Sequence, residues 1–124
     1  MNAVGIDVSK GKSMVAALRL MGEVALLPQE FLHTAPGLDQ MAHAILALGE
    51  GTRVVMEATG HYHEPVAAAL SAYGIYVCVL NPLYIKQSGA GFIRKVKTDK
   101  ADSSKIAKYG LDNWVDLREH TAMN

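Results

Sequence analysis

NAVGIDVSKGKSMVAALRLMGEVALLPQEFLH, residues 2–33, is the stretch from which the fold follows. It holds three strand-like apolar runs at residues 2–8, 14–20 and 23–33. A polar, glycine-containing turn at residues 9–12 separates the first two, and Met21 with Gly22 forms a tight connection between the second and third. Consecutive strands joined by short turns make an antiparallel meander. Pro28 has no backbone donor for a sheet ladder, so the third strand is expected at a sheet edge.

Beyond the meander the period changes. Thr34 is a candidate N-cap, Pro36 sits in a first helical turn, and Leu38, Met41, Ile45 and Leu48 share one helical face that ends at Gly49. A fourth strand is expected at residues 53–57 and a second helix over residues 60–73, with Thr59 as its cap and Gly74 closing it. A fifth strand follows at residues 75–80, and a last helix begins near Asp99. Residues 65–85 carry no charge and approach the length of a membrane span. Gly74 splits the run, however, and Asn81-Pro82 closes it, so a helix followed by a buried parallel strand fits better. The order βββαβαβ plus a C-terminal helix is that of an α/β, ribonuclease-H-like fold: a mixed five-stranded sheet with the first strand central. The step rests on fold-level analogy and proves no activity.

Four acids stand out in this frame. Asp7 follows Ala3-Val4-Gly5-Ile6 on the first strand, and Glu57 closes Val54-Val55-Met56 at the carboxyl end of the fourth. Those strands are expected neighbours, and open α/β sheets bind ligands beyond the carboxyl ends of their strands. Asp99 and Asp102 are three apart, so they share a helical face, where like charges cost a few tenths of a kcal/mol unless a cation offsets them. Each has a plainer reading. Asp7 can end a strand, Glu57 can face solvent, and Asp99 with Asp102 can form a capping-box variant. Convergence of all four would select hard cations, Mg²⁺ or Mn²⁺, for phosphodiester cleavage or phosphoryl transfer.

The chain has 124 residues, with 12 basic and 12 acidic side chains, one cysteine and four prolines. This suits one ordered domain and excludes an intramolecular disulfide framework or a thiolate metal cluster. No secretory pattern opens the sequence, so a cytoplasmic, non-membrane protein is expected. Net neutrality hides a segregated charge. Residues 1–85 carry −3, residues 86–108 carry +5, and residues 109–124 carry −2. Arg94, Lys95, Lys97 and Lys100 lie in the basic segment with Gly89, Gly91 and Phe92, a composition suited to tracking a sugar-phosphate backbone. Lys10 and Lys12 flank the first turn and are expected to meet a nucleic-acid phosphate near Asp7. Gly11-Lys12-Ser13 is not a P-loop, since Ile6 stands where that motif needs glycine. His61 and His63 lie about 200° apart on a helix and cannot chelate one ion. Cys78 reads as a small buried hydrophobe, and Tyr109 and Trp114 as packing residues.

Three blocks then carry a resemblance. GIDVSK (residues 5–10), MEATG (residues 56–60) and RKVKTDKADSSKIAKYG (residues 94–110) resemble those of DEDD-type insertion-sequence transposases, a group that includes the pilin-gene invertase and bridge-RNA-guided recombinases. The resemblance implies a RuvC-like N-terminal domain with Asp7, Glu57, Asp99 and Asp102 as its catalytic, metal-binding acids. It further implies Mg²⁺ or Mn²⁺, DNA as substrate, a structured guide RNA in some members, and assembly as dimers or tetramers. Family members continue into a C-terminal domain whose serine is the DNA nucleophile. Residues 1–124 are therefore expected to be the N-terminal domain alone, incomplete for full recombination. Two other readings stay open: a stand-alone RuvC-like junction nuclease, and a non-catalytic nucleic-acid-binding and oligomerisation module.

Overall fold

The computed structural model describes residues 1–82 and 99–120. Arg94, Lys95 and Lys97 lie outside the described residues, and Asp99 and Lys100 are placed by their backbone alone. The elements are β1 (Asn2–Ser9), β2 (Lys12–Arg19), β3 (Val24–Leu32), α1 (Ala35–Leu46), β4 (Thr52–Glu57), α2 (His63–Ala72), β5 (Tyr76–Leu80) and α3 (Asp99–Asp112). One sheet has the order β3-β2-β1-β4-β5. β1 pairs antiparallel with β2, from Asn2 opposite Arg19 to Ser9 opposite Lys12, and parallel with β4, from Asn2 beside Thr52 to Ile6 beside Met56. β1 is central and β3, carrying Pro28, is at the edge, as the sequence predicts.

Local chemistry explains the joints. Met21 (φ 71°) and Gly22 (φ 81°) turn the chain sharply between β2 and β3. The Thr34 side chain accepts a hydrogen bond from the Gly37 N–H at 3.1 Å, capping α1. The second helix departs from expectation. It begins at His63, and Thr59 does not cap it. Gly60 sits at φ 52°, a left-handed backbone through which no helix can pass, so residues 59–62 close a separate turn from the Tyr62 N–H to the Thr59 carbonyl. The Thr59 N–H donates to His63 Nδ1 at 3.2 Å, which gives buried His63 a structural role. His61 is 93% exposed, 3.7 Å from Glu64.

Helices cover both faces of the sheet. On one, α1 and α2 bury Met41, Ile45, Val66 and Leu70 against Val4, Ile6, Val54, Met56 and Val77. On the other, Ile106 of α3 and Leu117 pack on Val55 and Cys78, with Tyr109 and Trp114 partly buried beside them. This double coverage is why β4 reads as an unbroken apolar run. Cys78 is buried and its thiol is pushed up by desolvation. No helix among the described residues is long and apolar enough to cross a membrane.

At the carboxyl end of β1, the buried Ser13 hydroxyl lies 2.6 Å from His33 Nε2, and the His33 N–H donates to the Gly11 carbonyl. Burial holds the His33 imidazole below its ordinary pKa. The unfolded chain therefore takes up the proton first, so this contribution to stability is full above about pH 6.5 and is lost as pH falls through the depressed native value. Urea midpoints should drop from pH 7.5 to pH 5 by more in the wild type than in His33→Gln. Equal drops would exclude His33 as a source of acid sensitivity.

Candidate metal centre

Side-chain alternation decides which acids can meet. Val4, Ile6 and Val8 of β1 enter the α1/α2 core, so Gly5 and Asp7 project from the opposite face, beneath α3. On β4 the same parity puts Val54 and Met56 in the α1/α2 core and Val55 in the α3 core, so Glu57 also projects toward α3. Its register partner Leu80 packs on that face too. Asp7 and Glu57 each stand one residue beyond the last matched pair of their strands, Ile6 beside Met56. They share a face, an end and a register level.

Helix α3 brings the third acid. Ile106 packs with Val55, and Asp102 lies one helical turn before Ile106 on the same side of the helix. Gly110 lies over Val55 and Ala3, whereas Ser103 and Ala107 lie over Gly5, so α3 runs opposite to β1. The turn from Ile106 to Asp102 rises about 6 Å, and β4 advances about 6.6 Å from Val55 to Glu57. Asp102 thus lies along the helix at the level of Glu57, and the backbone of Asp99 is a further turn in the same direction. Glu57 is 3% exposed, and Glu57 Oε1 and Asp102 Oδ1 are both shielded from solvent. Asp7 is half-buried. Among the described residues, no three histidine, cysteine or acidic side chains are grouped closely enough to hold a metal ion. The donors themselves suit a hard divalent ion: all are carboxylate oxygens, two of them out of water, where an ionised carboxylate is costly unless offset.

The lysines flank this end of the sheet. Lys10 is exposed in the β1–β2 turn, and Lys12 Nζ lies 3.5 Å from Glu30 Oε1, with both side chains about half exposed. A surface pair of this kind contributes little, so Lys12 can exchange Glu30 for another anion at small cost.

A family model described as a transposase of the DEDD, IS110 type matches residues 4–123. The chain belongs to the DEDD transposase family. Two curated relatives, the pilin gene-inverting proteins of Moraxella lacunata and Moraxella bovis, are each 37% identical to this DEDD transposase chain over 57 residues. That stretch is 46% of this chain and 18% of each relative. Among solved structures, Thermus thermophilus RuvC matches with a TM-score of 0.64 at 15% identity, covering 97% of this chain and 100% of that one. T. thermophilus RuvC in complex with a Holliday junction substrate gives 0.65 at 13% identity over 97% and 99%. The DEDD transposase chain therefore has the RuvC-like, ribonuclease-H-like fold expected from its sequence.

Sequence reading singled out the acids but passed over the glycines that seat α3. The available signal was Gly5 itself, since glycine inside a strand often marks a close approach of another backbone.

Proposed function

We propose that this domain is the metal-dependent, DNA-cleaving part of a transposase or site-specific recombinase. The observation that carries the reading is the shared face and level of Asp7 and Glu57 beneath Asp102, at the carboxyl end of the central strands. Asp7, Glu57 and Asp102, with Asp99, would hold Mg²⁺ or Mn²⁺. Bound there, the metal supplies charge neutralisation at the attacking and leaving oxygens of a phosphodiester. The chain's own part is to fix the carboxylates on rigid elements, to exclude bulk water around Glu57, and to bring the nucleic acid near through its cations. Complete recombination needs the serine-bearing domain that the family resemblance implies. DNA is the substrate in this reading, a guide RNA a further partner, and a homo-oligomer the working assembly.

Calorimetric titration with Mn²⁺ tests the centre. The wild type should bind, and Asp102→Ala should bind at least 10-fold more weakly. Equal affinity in both would remove Asp102 as a ligand, and no binding to either would favour a non-catalytic nucleic-acid module. Nicking of branched DNA by this chain alone would instead favour a stand-alone junction nuclease.

The basic segment makes a separate expectation. Replacing Arg94, Lys95 and Lys97 with alanine should weaken DNA binding and reduce the slope of log affinity against log salt by about 2–3. An unchanged slope would exclude phosphate contacts from these three residues.

A further inference from the structure

Two close approaches between α3 and the sheet lie at positions without side chains. A Cβ built on Gly5 would overlap the Ser103 carbonyl oxygen and the Ala107 nitrogen, and would lie 3.0 Å from Ala107 Cα. These are backbone atoms, so no rotamer change can make room. At the far end of the helix, a Cβ on Gly110 would meet Val55 Cγ2 at 3.0 Å and Ala3 Cβ at 3.3 Å. Gly5 has no positive φ to explain its presence, and it weakens the central strand relative to any residue with a side chain. The contact it permits is the remaining physical reason for it.

We propose that Gly5 and Gly110 are positioning residues of the carboxylate centre, seating the α3 backbone on β1 and β4 and thereby setting the height of Asp102 over Asp7 and Glu57. The argument rests on leverage. Gly5 is two residues from Asp7 on β1, and its contact atoms on α3 belong to Ser103, the neighbour of Asp102, and to Ala107. Lifting the helix by the width of one methyl group would carry Asp102 with it, while Asp7 and Glu57 stay fixed in the sheet. Carboxylates shared by one hard cation tolerate little such displacement, because metal–oxygen distances for Mg²⁺ are held near 2.0–2.1 Å. The seat deepens the metal reading above and depends on it for its functional consequence.

The test uses the 124-residue chain with Mn²⁺ as the probe, read by titration, by thermal melting and by amide NMR spectra. Gly5→Ala should fold, show amide shifts concentrated in α3 at Asp102, Ser103 and Ala107, and bind Mn²⁺ at least 10-fold more weakly. Gly110→Ala meets a side chain that can be trimmed. It should lose about 3-fold, and Gly110→Ala with Val55→Ala should recover wild-type affinity, a rescue that general loss of packing would not give. Wild-type affinity in folded Gly5→Ala would overturn the proposal. If Gly5→Ala does not fold, the Gly110→Ala pair decides, and failure of Val55→Ala to restore affinity overturns it. Should the wild type bind no Mn²⁺, the metal reading fails on its own. The seat is then judged by the Asp102 amide, whose unchanged position in Gly5→Ala would refute it.

Discussion

Glu57→Gln is expected, on the proposed metal reading, to weaken Mn²⁺ binding by about 100-fold or more while changing the melting temperature far less than loss of a core side chain would. The magnitude follows from chemistry: losing even a group that supports a metal ligand costs 10–100-fold, and the ligand itself matters more. The stability side follows from burial. Glu57 is 3% exposed and is the last residue of β4, at the end of a covered strand. A neutral amide of nearly the same shape keeps the packing of that position and removes the charge that a cation would need. A residue that holds only structure would behave in the opposite way, with binding retained and stability lost. Titration and melting on the same samples separate the two outcomes.

Arg53→Ala is expected to cost about 2–3 kcal/mol, a fall in melting temperature of roughly 10 °C at this chain length. The Arg53 guanidinium lies between two rings, 4.7 Å from the centroid of Tyr76 and 4.5 Å from that of Trp114. It also donates to the Trp114 carbonyl at 2.7 Å. Two cation–π faces and a charge-assisted hydrogen bond each contribute about 1 kcal/mol in a half-buried setting. Together they fasten the segment after α3 to the sheet, helped by the Tyr76 hydroxyl donating to the Leu117 carbonyl and the His120 N–H donating to Val77. Trp114 is the single tryptophan of the chain, so its emission should shift red as the ring is released. Arg53→Lys keeps the charge and loses the planar stack, and should recover less than half of the stability. An unshifted emission maximum in Arg53→Ala would show that the ring is held by other contacts.

Much of this architecture is written in local pattern. Apolar runs with tight turns fixed the meander, Pro28 placed β3 at the edge, and the spacing of Leu38, Met41, Ile45 and Leu48 gave α1 its buried face. The second helix shows where local pattern falls short. Thr59 has the chemistry of a cap and Gly60 stands next to it, yet Gly60 takes a left-handed backbone and moves the start to His63. Glycine permits both conformations, and the choice between them belongs to the packed chain.

The acids divide along the same line. Their residue types, their places after apolar runs and the three-residue spacing of Asp99 and Asp102 were legible in the sequence by itself, because they depend on near neighbours in the chain. That Asp7 and Glu57 project from one face, and that this face is the one α3 covers, was decided only by the tertiary structure. Strand register and helix seating join residues some fifty to a hundred positions apart, and no local period encodes them. The same holds for the Arg53 sandwich and the Gly5 seat, in which backbone and rings meet across the sheet because close packing leaves room for no other arrangement.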